Sequence, residues 1–383
     1  MECALYCPVY GFYEKEEDTI GRGGHFYTSI SVGSLFGELL ARQIAEWIEE
    51  LQSAPPVSSA EGRQGAGVAS QAGRPTAPFQ VVEAGAHDGR LARDILGWFR
   101  DQRPDLLTKL IYWVIEPSAR RQEWQRQTLV EFLPQVQWAK NLSELAESPG
   151  RLSGPARGQV RGVILSNELL DSMPVHRLGW DAGKEAWFEW GVTLSNGRLE
   201  WKRLEWDAAS KIDPDGRLGS VSAALEWSSD SLKALPDGFS VEIGTAAARW
   251  WNEAAALLGA GKLLAFDYGM TEEELVQRGG TAGTVRAYYR HQTISDLLAR
   301  PGEQDITAHV NFSALCRVGE KAGLKTEGLL TQEQFLTRIA GPIFNEKGGS
   351  DYLTAHRIRQ FKTLTHPDHL GRSFKVLLQS RGL

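Results

Sequence analysis

The chain has 383 residues, of which 42% are hydrophobic and 23% are charged, and its formal net charge is −6. This composition is that of a globular protein with one large core, or with a core and a smaller domain. The net negative charge does not indicate a basic surface for binding nucleic acid, so we expect no nucleic-acid partner. No apolar run approaches the ~20 residues that a membrane span requires, so we expect no membrane span.

The cysteines and the first residues bear on the compartment. Cys3, Cys7 and Cys316 are too few for a disulfide framework, and Cys3-x-x-x-Cys7 lacks a second pair of metal ligands. We therefore interpret them as free thiols in a reducing compartment and predict no metal site. The opening M-E-C-A-L-Y-C-P lacks the basic and apolar regions of a signal peptide and is not Arg-rich, so a cytoplasmic location is expected.

Residues 1–52 are predicted to form an N-terminal cap. Apolar residues from Leu35 to Leu51 recur with helical spacing, and a Gly- and hydroxyl-rich loop, Gly21–Ser29, precedes this helix. The loop is either a packing corner or a lid over a ligand, and the residues alone leave both open. Residues 53–78 are almost all small or polar, so we predict a flexible surface insertion there.

Residues 79–180 alternate strands with helices, which predicts the first part of a parallel sheet with helical crossovers. Within them, an apolar strand ends in Glu83, glycines follow at Gly85 and Gly89, and a helix begins. The glycines allow a ligand to approach the backbone, and the helix N-terminus presents unpaired N–H groups. Such a ligand should lie at the carboxyl end of the strand. We expect strands at 79–83, 110–116, 136–138 and 162–166, and helices near 90–101 and 118–131.

Two acids at predicted strand ends discriminate between nucleotide ligands. The dinucleotide fingerprint G-x-G-x-x-G is absent, since the turn reads G-A-H-D-G. Glu83 would repel a pyrophosphate but can accept from an amino group, and Glu116 can accept from both hydroxyls of a ribose. The pair favours S-adenosylmethionine. The alternative is that both acids cap helices or bind local amides, although neutral residues would pack there at lower cost.

A polar segment, Asn167-Glu168-Leu169-Leu170-Asp171, follows the strand that ends at Ser166. It lies where open α/β sheets place their chemistry. Glu168 and Asp171 are three residues apart, so on a helical turn they would share a face and could clamp a cation. The alternative is a capping arrangement around a helix start.

Residues 181–240 interrupt the alternation and predict a β-rich insertion. The run A-W-F-E-W-G-V-T-L and the turn Asn196-Gly197 indicate a hairpin. We interpret the insertion as a substrate wall or a homodimer surface, with its aromatic residues as its core.

Residues 241–383 return to the α/β pattern and are predicted to be the second part of the core. We expect helices at 246–258 and 315–322, strands at 262–267, 324–330 and 374–378, and a loop containing Arg286–His291. Asp305, Thr307 and His309 form a polar cluster between elements. A lone histidine there would usually be structural, but three polar residues at alternate positions make a functional role equally reasonable.

Several stretches occur in a familiar order: G-G-H-F-Y-T-S-I-S-V-G, the glycine stretch, S-N-E-L-L-D-S-M-P-V-H, L-L-A-F-D-Y-G, P-G-E-Q-D-I-T-A-H-V-N-F and H-L-G-R-S-F-K-V-L. In these stretches the chain resembles the MidA-like family of S-adenosylmethionine-dependent methyltransferases, which includes the arginine methyltransferase of mitochondrial complex I assembly. The resemblance runs from near Met1 to near Leu378, interrupted by residues 53–78. It implies an α/β fold with a Rossmann-like class I methyltransferase sheet, and methyl transfer to a protein substrate, with arginine as the acceptor in the mitochondrial member.

The resemblance also implies roles for individual residues. Those that would bind the cofactor, S-adenosyl-L-methionine, lie in the glycine turn, at the ribose and at the methyl-transfer mouth: Glu83, Gly85, His87, Gly89, Glu116 and Asn167. Glu168 would line the same mouth, and Glu168 and Asp171 are the candidate acids for a guanidinium group. His309 is a further catalytic candidate.

Two positions depart from the family pattern, because His87 replaces a usual Gly and His25 replaces a usual Asp. A side chain at position 87 would either narrow the cofactor turn or point to solvent. The alternative function is therefore a catalytically weak or silent assembly or binding protein that keeps the fold. An NAD-linked oxidoreductase is disfavoured by the missing G-x-G-x-x-G.

Overall fold

The computed structural model of the protein describes the following residues: 1–15, 28–53, 78–148, 152–155, 158–205, 232–278, 280, 282–290, 292–345 and 354–382. Almost all of the predicted insertion at 53–78 lies outside these residues, as does His25. The chain divides into two compact units. Unit 1 comprises residues 1–36, 166–255 and 265–379, and unit 2 comprises residues 37–165, 256–264 and 380–383.

The described residues contain eleven α-helices, of which five match predicted helices and six, including both helices between residues 332 and 365, were not predicted. The eleven helices are α1 (Glu2–Tyr6), α2 (Leu35–Ser53), α3 (Arg90–Gln102), α4 (Pro104–Leu107), α5 (Ala119–Thr128), α6 (Leu142–Glu147), α7 (Thr245–Leu257), α8 (Glu272–Arg278), α9 (Phe312–Lys321), α10 (Gln332–Asn345) and α11 (Ala355–Thr365). None of them is long and apolar enough to cross a membrane.

The strands of the described residues form three sheets. They are β1 (Phe79–Ala84), β2 (Leu110–Ile115), β3 (Val136–Ala139), β4 (Val160–Asn167), β5 (His176–Asp181), β6 (Ala186–Ser195), β7 (Arg198–Glu205), β8 (Ser240–Ile243), β9 (Leu258–Met270), β10 (Arg286–Tyr289), β11 (Gln292–Ile294), β12 (Asp305–Thr307), β13 (Val310–Asn311), β14 (Lys325–Thr331) and β15 (Phe374–Arg381).

Unit 2 contains the strand order β9-β4-β1-β2-β3. The strands β1, β2 and β3 are parallel, with Val81 opposite Tyr112 and Tyr112 opposite Val136. Every residue of β1 is buried, as expected for a sheet covered on both faces. Helix α3 buries one apolar stripe, made of Leu91, Ala92, Ile95, Leu96 and Phe99. This is the predicted α/β sheet with helical crossovers, and it places the ends of β1 and β2 side by side.

Unit 1 contains the predicted hairpin, in which β6 and β7 pair around Asn196-Gly197. Both turn residues have positive φ, as a tight hairpin turn of this type requires. The hairpin belongs to an antiparallel sheet of order β7-β6-β5-β8. Of the aromatic residues predicted as its core, Trp180 is buried in a cluster against which Trp187 packs, whereas Trp201 is 38% exposed. The prediction of an aromatic core is therefore right for one side of the sheet and wrong for Trp201.

Two local predictions in unit 1 are corrected. Arg286–Tyr289 is a strand rather than part of a loop, and Asp305 and Thr307 lie in β12, which pairs with it. Glu168–Asp171 is not a helical turn, and no helix starts there, because Glu168 has a φ of 52° and the segment bends sharply after β4. The three cysteines are free thiols, as expected.

Candidate active site

The glycine turn of unit 2, residues 85–89, connects β1 to α3. Gly85 and Gly89 have φ angles of 76° and 84°, in the left-handed region that favours glycine. The N–H of Gly89 donates to the carbonyl oxygen of Ala86 at 2.8 Å and closes the turn. A Cβ at Gly89 would also lie 3.4 Å from the Cα of Gln125, so the turn has little room for a side chain there.

His87 adopts a glycine-like conformation without being glycine, with a φ of 48°. This conformation costs a non-glycine residue about 1 kcal/mol. Its ring packs edge-on against Trp124, with ring centroids 6.3 Å apart, and its Nδ1 lies 3.6 Å from Asp88 Oδ1. The imidazole therefore lies against α5. Glycine would adopt this positive φ without strain.

Glu83 is the penultimate residue of β1 and is buried. Its Oε2 accepts a hydrogen bond of 2.7 Å from the hydroxyl of Tyr112 on β2. Burial raises the pKa of Glu83 to about 7, although the Tyr112 hydroxyl opposes this shift. The carboxyl of Glu83 therefore has acceptor capacity beyond its bond to Tyr112, and it can accept a hydrogen bond from the amino group of a ligand.

Glu116 follows β2 and is held by local donors on both oxygens. The N–H of Ser118 donates to Oε1 at 3.0 Å, and Gln125 Nε2 donates to Oε2 at 3.2 Å. The alternative that Glu116 binds local amides is therefore partly right. Carboxylate oxygens have further lone pairs, so these bonds orient the group and leave capacity for ribose hydroxyls. A turn of positive φ beside a helix start and an oriented acid on the next strand fit an adenosyl ligand with an amino-acid tail.

Unit 1 contains a second group of carboxyls, which we name the acidic cluster: Glu168, Asp171, Asp267 and Asp305. The three aspartates are buried, and Glu168 is partly accessible. Burial raises the pKa of Glu168 to about 8, that of Asp267 to about 7 and that of Asp305 to about 6. Burial and then the charges of its neighbours raise the pKa of Asp171 well above its usual range.

Asp267 holds the segment after β4 in its bent conformation. Its Oδ2 accepts from three successive backbone N–H groups, those of Leu169 at 3.2 Å, Leu170 at 2.8 Å and Asp171 at 3.4 Å. The N–H of Glu168 donates to the carbonyl oxygen of Phe266 at 2.9 Å. These bonds oppose the cost of the positive φ at Glu168 and fix the direction of its side chain.

The carboxylate of Glu168 is anchored through one oxygen. Its Oε1 accepts from the N–H of Ser29 at 3.0 Å and from Asn167 Nδ2 at 3.1 Å. Among the described residues, no group donates to Oε2 of Glu168. The buried Oδ1 of Asn167 also lacks a partner within the described part of the chain. The two side chains therefore present acceptor oxygens that the described residues leave unsatisfied.

The N-terminal cap supplies hydroxyls to this region. Tyr13 donates to Asp305 Oδ1 at 2.6 Å, and the hydroxyl of Tyr6 lies 2.9 Å from that of Ser172. Ser29 is fully buried and its hydroxyl donates to Gln332 Oε1 at 3.0 Å. The described end of the glycine-rich loop is thus a packing corner; the remainder, 21–27, is outside the described residues.

His309 lies in the wall of a cavity of about 70 Å³ in unit 1. Its Nδ1 has no partner among the described residues, and burial, followed by Arg286 and Arg278, lowers its pKa. The segment is tied to the cluster through the backbone, since the N–H of Ala308 donates to the carbonyl oxygen of Asp171 at 2.8 Å. Of the three catalytic candidates, the structure brings together Glu168 and Asp171.

Sequence reasoning missed four residues that hold these groups: Tyr13, Tyr112, Gln125 and Asp267. Asp267 had a detectable signal, because an acid inside the apolar strand L-L-A-F-D is costly to bury without a purpose. No such signal marks Gln125 in the sequence, because glutamine is common on the surface of a polar helix such as α5. No three acidic, histidine or cysteine side chains within the described ranges are arranged to hold a metal ion.

Comparisons with known proteins bear on the family, the fold and the cofactor. A family model described as "Putative S-adenosyl-L-methionine-dependent methyltransferase" matches residues 62–330, more than half of the chain. The chain is 27% identical to the mitochondrial protein arginine methyltransferase NDUFAF7 homolog of Drosophila melanogaster, covering 100% of this chain and 80% of that protein. It is 26% identical to mitochondrial NDUFAF7 of Rattus norvegicus, covering 98% of this chain and 78% of the relative.

A solved structure agrees in fold and in ligand. A crystal structure of a protein from Burkholderia thailandensis bound to S-adenosyl-homocysteine is 25% identical, with a TM-score of 0.74 over 100% of this chain and 86% of that one. The Rossmann-like class I methyltransferase fold and the S-adenosylmethionine cofactor are thereby confirmed. The chain belongs to the family of S-adenosyl-L-methionine-dependent methyltransferases.

Proposed function

We propose that this methyltransferase transfers its methyl group to an arginine side chain of a protein substrate. The observation that carries the proposal is the carboxylate of Glu168, whose Oε1 holds two donors while its Oε2 has none among the described residues. The relatives named protein arginine methyltransferase support the same acceptor.

A guanidinium group suits the acidic cluster for electrostatic reasons. Carboxyls that are buried beside one another keep their protons until a cation enters, which the raised pKa of Glu168, about 8, reflects. A bound guanidinium would lower these pKa values and restore the carboxylate. Its planar fork of N–H donors matches a carboxylate better than a point-like ammonium does. The acidic cluster therefore favours arginine over lysine.

The glycine turn and Glu116 are the proposed cofactor residues. Glu83, Gly85, His87 and Gly89 would hold the amino-acid part, and Glu116 the ribose, with Asn167 at the methyl-transfer mouth. When bound, S-adenosylmethionine supplies a sulfonium methyl group and retains the electron pair of the broken carbon–sulfur bond. Positioning is the main requirement for such a transfer.

The proposed role of Glu168 is to orient one guanidinium nitrogen and to accept the proton that this nitrogen releases on methylation. A carboxyl with a pKa near the working pH is a suitable acceptor. Asp171 is the proposed second acid, and Asp267 fixes the bend that carries both. His309 remains a catalytic candidate without an assigned step.

Calorimetric titration of the purified protein with S-adenosylmethionine separates an enzyme from a silent binding protein. Binding is expected, and no binding at millimolar cofactor would favour the silent alternative. Mass spectrometry should then show methylarginine sites that disappear when the gene is deleted and return with the wild-type gene but not with Glu168→Gln. Cofactor binding without any such site would contradict arginine as the acceptor.

A further inference from the structure

Helix α5 has an unusual buried face. Its ten residues, Ala119–Thr128, are all described, and the only one that is buried is Gln125, with no exposed surface. A helix normally buries apolar side chains, and burying an amide is costly unless each polar atom finds a partner. The buried amide of Gln125 is therefore expected to have hydrogen-bond partners for its polar atoms.

Gln125 makes three side-chain hydrogen bonds, all within unit 2. Its Nε2 donates to the carbonyl oxygen of His87 at 2.9 Å and to Glu116 Oε2 at 3.2 Å. Its Oε1 accepts from Trp138 Nε1 at 3.0 Å. Trp138 can only donate, and the carbonyl and carboxylate can only accept, so the three partners permit a single orientation of the amide.

We propose that Gln125 is a positioning residue for the cofactor, which ties the carboxylate of Glu116 to the glycine turn at His87. The inference depends on the proposed role of Glu116 at the ribose. One NH₂ group bonds both sides of the proposed site, so the distance between turn and carboxylate is set before a ligand arrives. Because Glu116 is then held in one rotamer, less side-chain freedom remains to be lost on binding.

The bond to His87 adds a second effect. His87 has a φ of 48°, a conformation that persists only when its surroundings hold it. Gln125 bonds the carbonyl oxygen of this residue and so stabilises the turn from the side of α5. The amide thereby supports two parts of the site that lie in different loops.

Gln125→Glu is the most direct test, because glutamate has nearly the same shape and can still accept from Trp138. It cannot donate to His87 or Glu116 while ionised, and it places a second carboxylate against Glu116. We expect calorimetry to show an affinity for S-adenosylhomocysteine about tenfold weaker than in the wild type, since two donors are lost, one of them to a charged group.

Gln80→Glu is the matched control. Gln80 is another fully buried glutamine of unit 2, near the start of β1, where its Nε2 donates to Ser153 Oγ at 2.7 Å. This variant should lose thermal stability while keeping its affinity for S-adenosylhomocysteine. An equal loss of affinity in the two variants would mean that Gln125 matters only for folding, which would overturn the inference.

A double-mutant cycle with Glu116→Ala tests whether Gln125 acts through Glu116. If it does, Gln125→Glu should weaken binding much less in the Glu116→Ala background than alone. Equal factors in both backgrounds would overturn the inference. If Glu116→Ala itself leaves affinity unchanged, the ribose assignment is wrong, which is a distinguishable result.

Trp138→Phe provides a second variant in case Gln125→Glu does not fold. It removes the donor that fixes the amide orientation and reduces the ring over which the Arg126 guanidinium lies at 4.4 Å, at a partly exposed site. We expect an affinity two- to threefold weaker with an unfolding midpoint close to the wild type, since a single neutral hydrogen bond is lost. An unchanged affinity would contradict the positioning role.

Discussion

Glu116 in unit 2 and Glu168 in unit 1 each come directly after a strand, yet their carboxylates have opposite surroundings. Glu116 has a donor on each oxygen, from Ser118 and Gln125. Glu168 has both of its donors on one oxygen, and the charges of Asp267 and Asp305 act on it. The first arrangement preorients an acceptor for neutral hydroxyls. The second leaves one carboxylate oxygen without a donor among the described residues, and a bound cation would stabilise the charge of this group further.

The comparison shows that position in the fold does not by itself define the role of an acid. Both glutamates follow strand ends, where α/β sheets place ligands. What distinguishes them is the set of donors and charges that the rest of their unit supplies. The following variants test that distinction.

The largest expected effect is on Glu168. Glu168→Gln keeps the shape and the acceptor for Ser29 but removes the charge that a guanidinium requires. We expect the rate of arginine methylation to fall at least ~100-fold, the scale of losing a charged group that acts on the reacting atoms. Affinity for S-adenosylhomocysteine should be unchanged by calorimetry. Glu274→Gln alters a carboxylate that pairs with Lys375 and is the control, which should methylate arginine at the normal rate. Full methylation activity in Glu168→Gln would show that Glu168 is not part of the acceptor site.

The second effect concerns Asp267 and the stability of the segment that it holds. Asp267→Ala leaves four backbone N–H groups without their acceptor, three that donate to Oδ2 and that of Tyr268, which donates to Oδ1, so we expect the free energy of unfolding to fall by about 2 kcal/mol. Asp267→Asn keeps one acceptor oxygen and relieves repulsion with Asp171, so its loss of unfolding free energy should be smaller by about 1 kcal/mol. Urea unfolding of both variants measures this, and equal losses would show that the oxygen acceptor is not what matters.

The third effect is a pH dependence of stability. The pKa of Glu168 is about 8 in the folded state, against an ordinary value of 4.5. Between these values the folded state holds more protons than the unfolded state, so the contribution to stability is full below the ordinary pKa and is lost as pH rises through about 8. The unfolding midpoint should therefore fall as the pH rises from about 4.5 to about 8 and level off above 8, and it should fall less steeply in Glu168→Gln. Parallel pH profiles for the two proteins would contradict the raised pKa.

The smallest effect is expected at His87. Glycine adopts its φ of 48° without strain, and the ring that would be removed packs against Trp124. We therefore expect His87→Gly to change the affinity for S-adenosylhomocysteine by less than about threefold, since the gain in relieved strain and the loss of packing are both near 1 kcal/mol. A tenfold gain would show instead that the imidazole narrows the cofactor turn.

The alternation of strands and helices in the core was predictable because its signals are local. The apolar runs that became β1 and β2, the helical spacing of α3 and the Asn196-Gly197 turn all occupy short windows of sequence. The errors arose where local pattern and structure diverge. Arg286–Tyr289 has no alternating pattern but pairs with β11 and β12, and Glu168–Asp171 bends because distant groups hold it.

The sequence by itself determined the class of protein and the candidate ligands of its acids, because strand, acid and glycine follow one another within a few residues. Only the tertiary structure decided what each acid can do. Tyr13 reaches Asp305 across 292 residues, and Asp267 binds the N–H of Leu170 across 97. The proposed positioning role of Gln125 depends on the fold, which brings Glu116, His87 and Trp138 around its buried amide. Burial, charge proximity and hydrogen bonding set pKa values and side-chain orientation, and these depend on the path of the chain rather than on spacing along it.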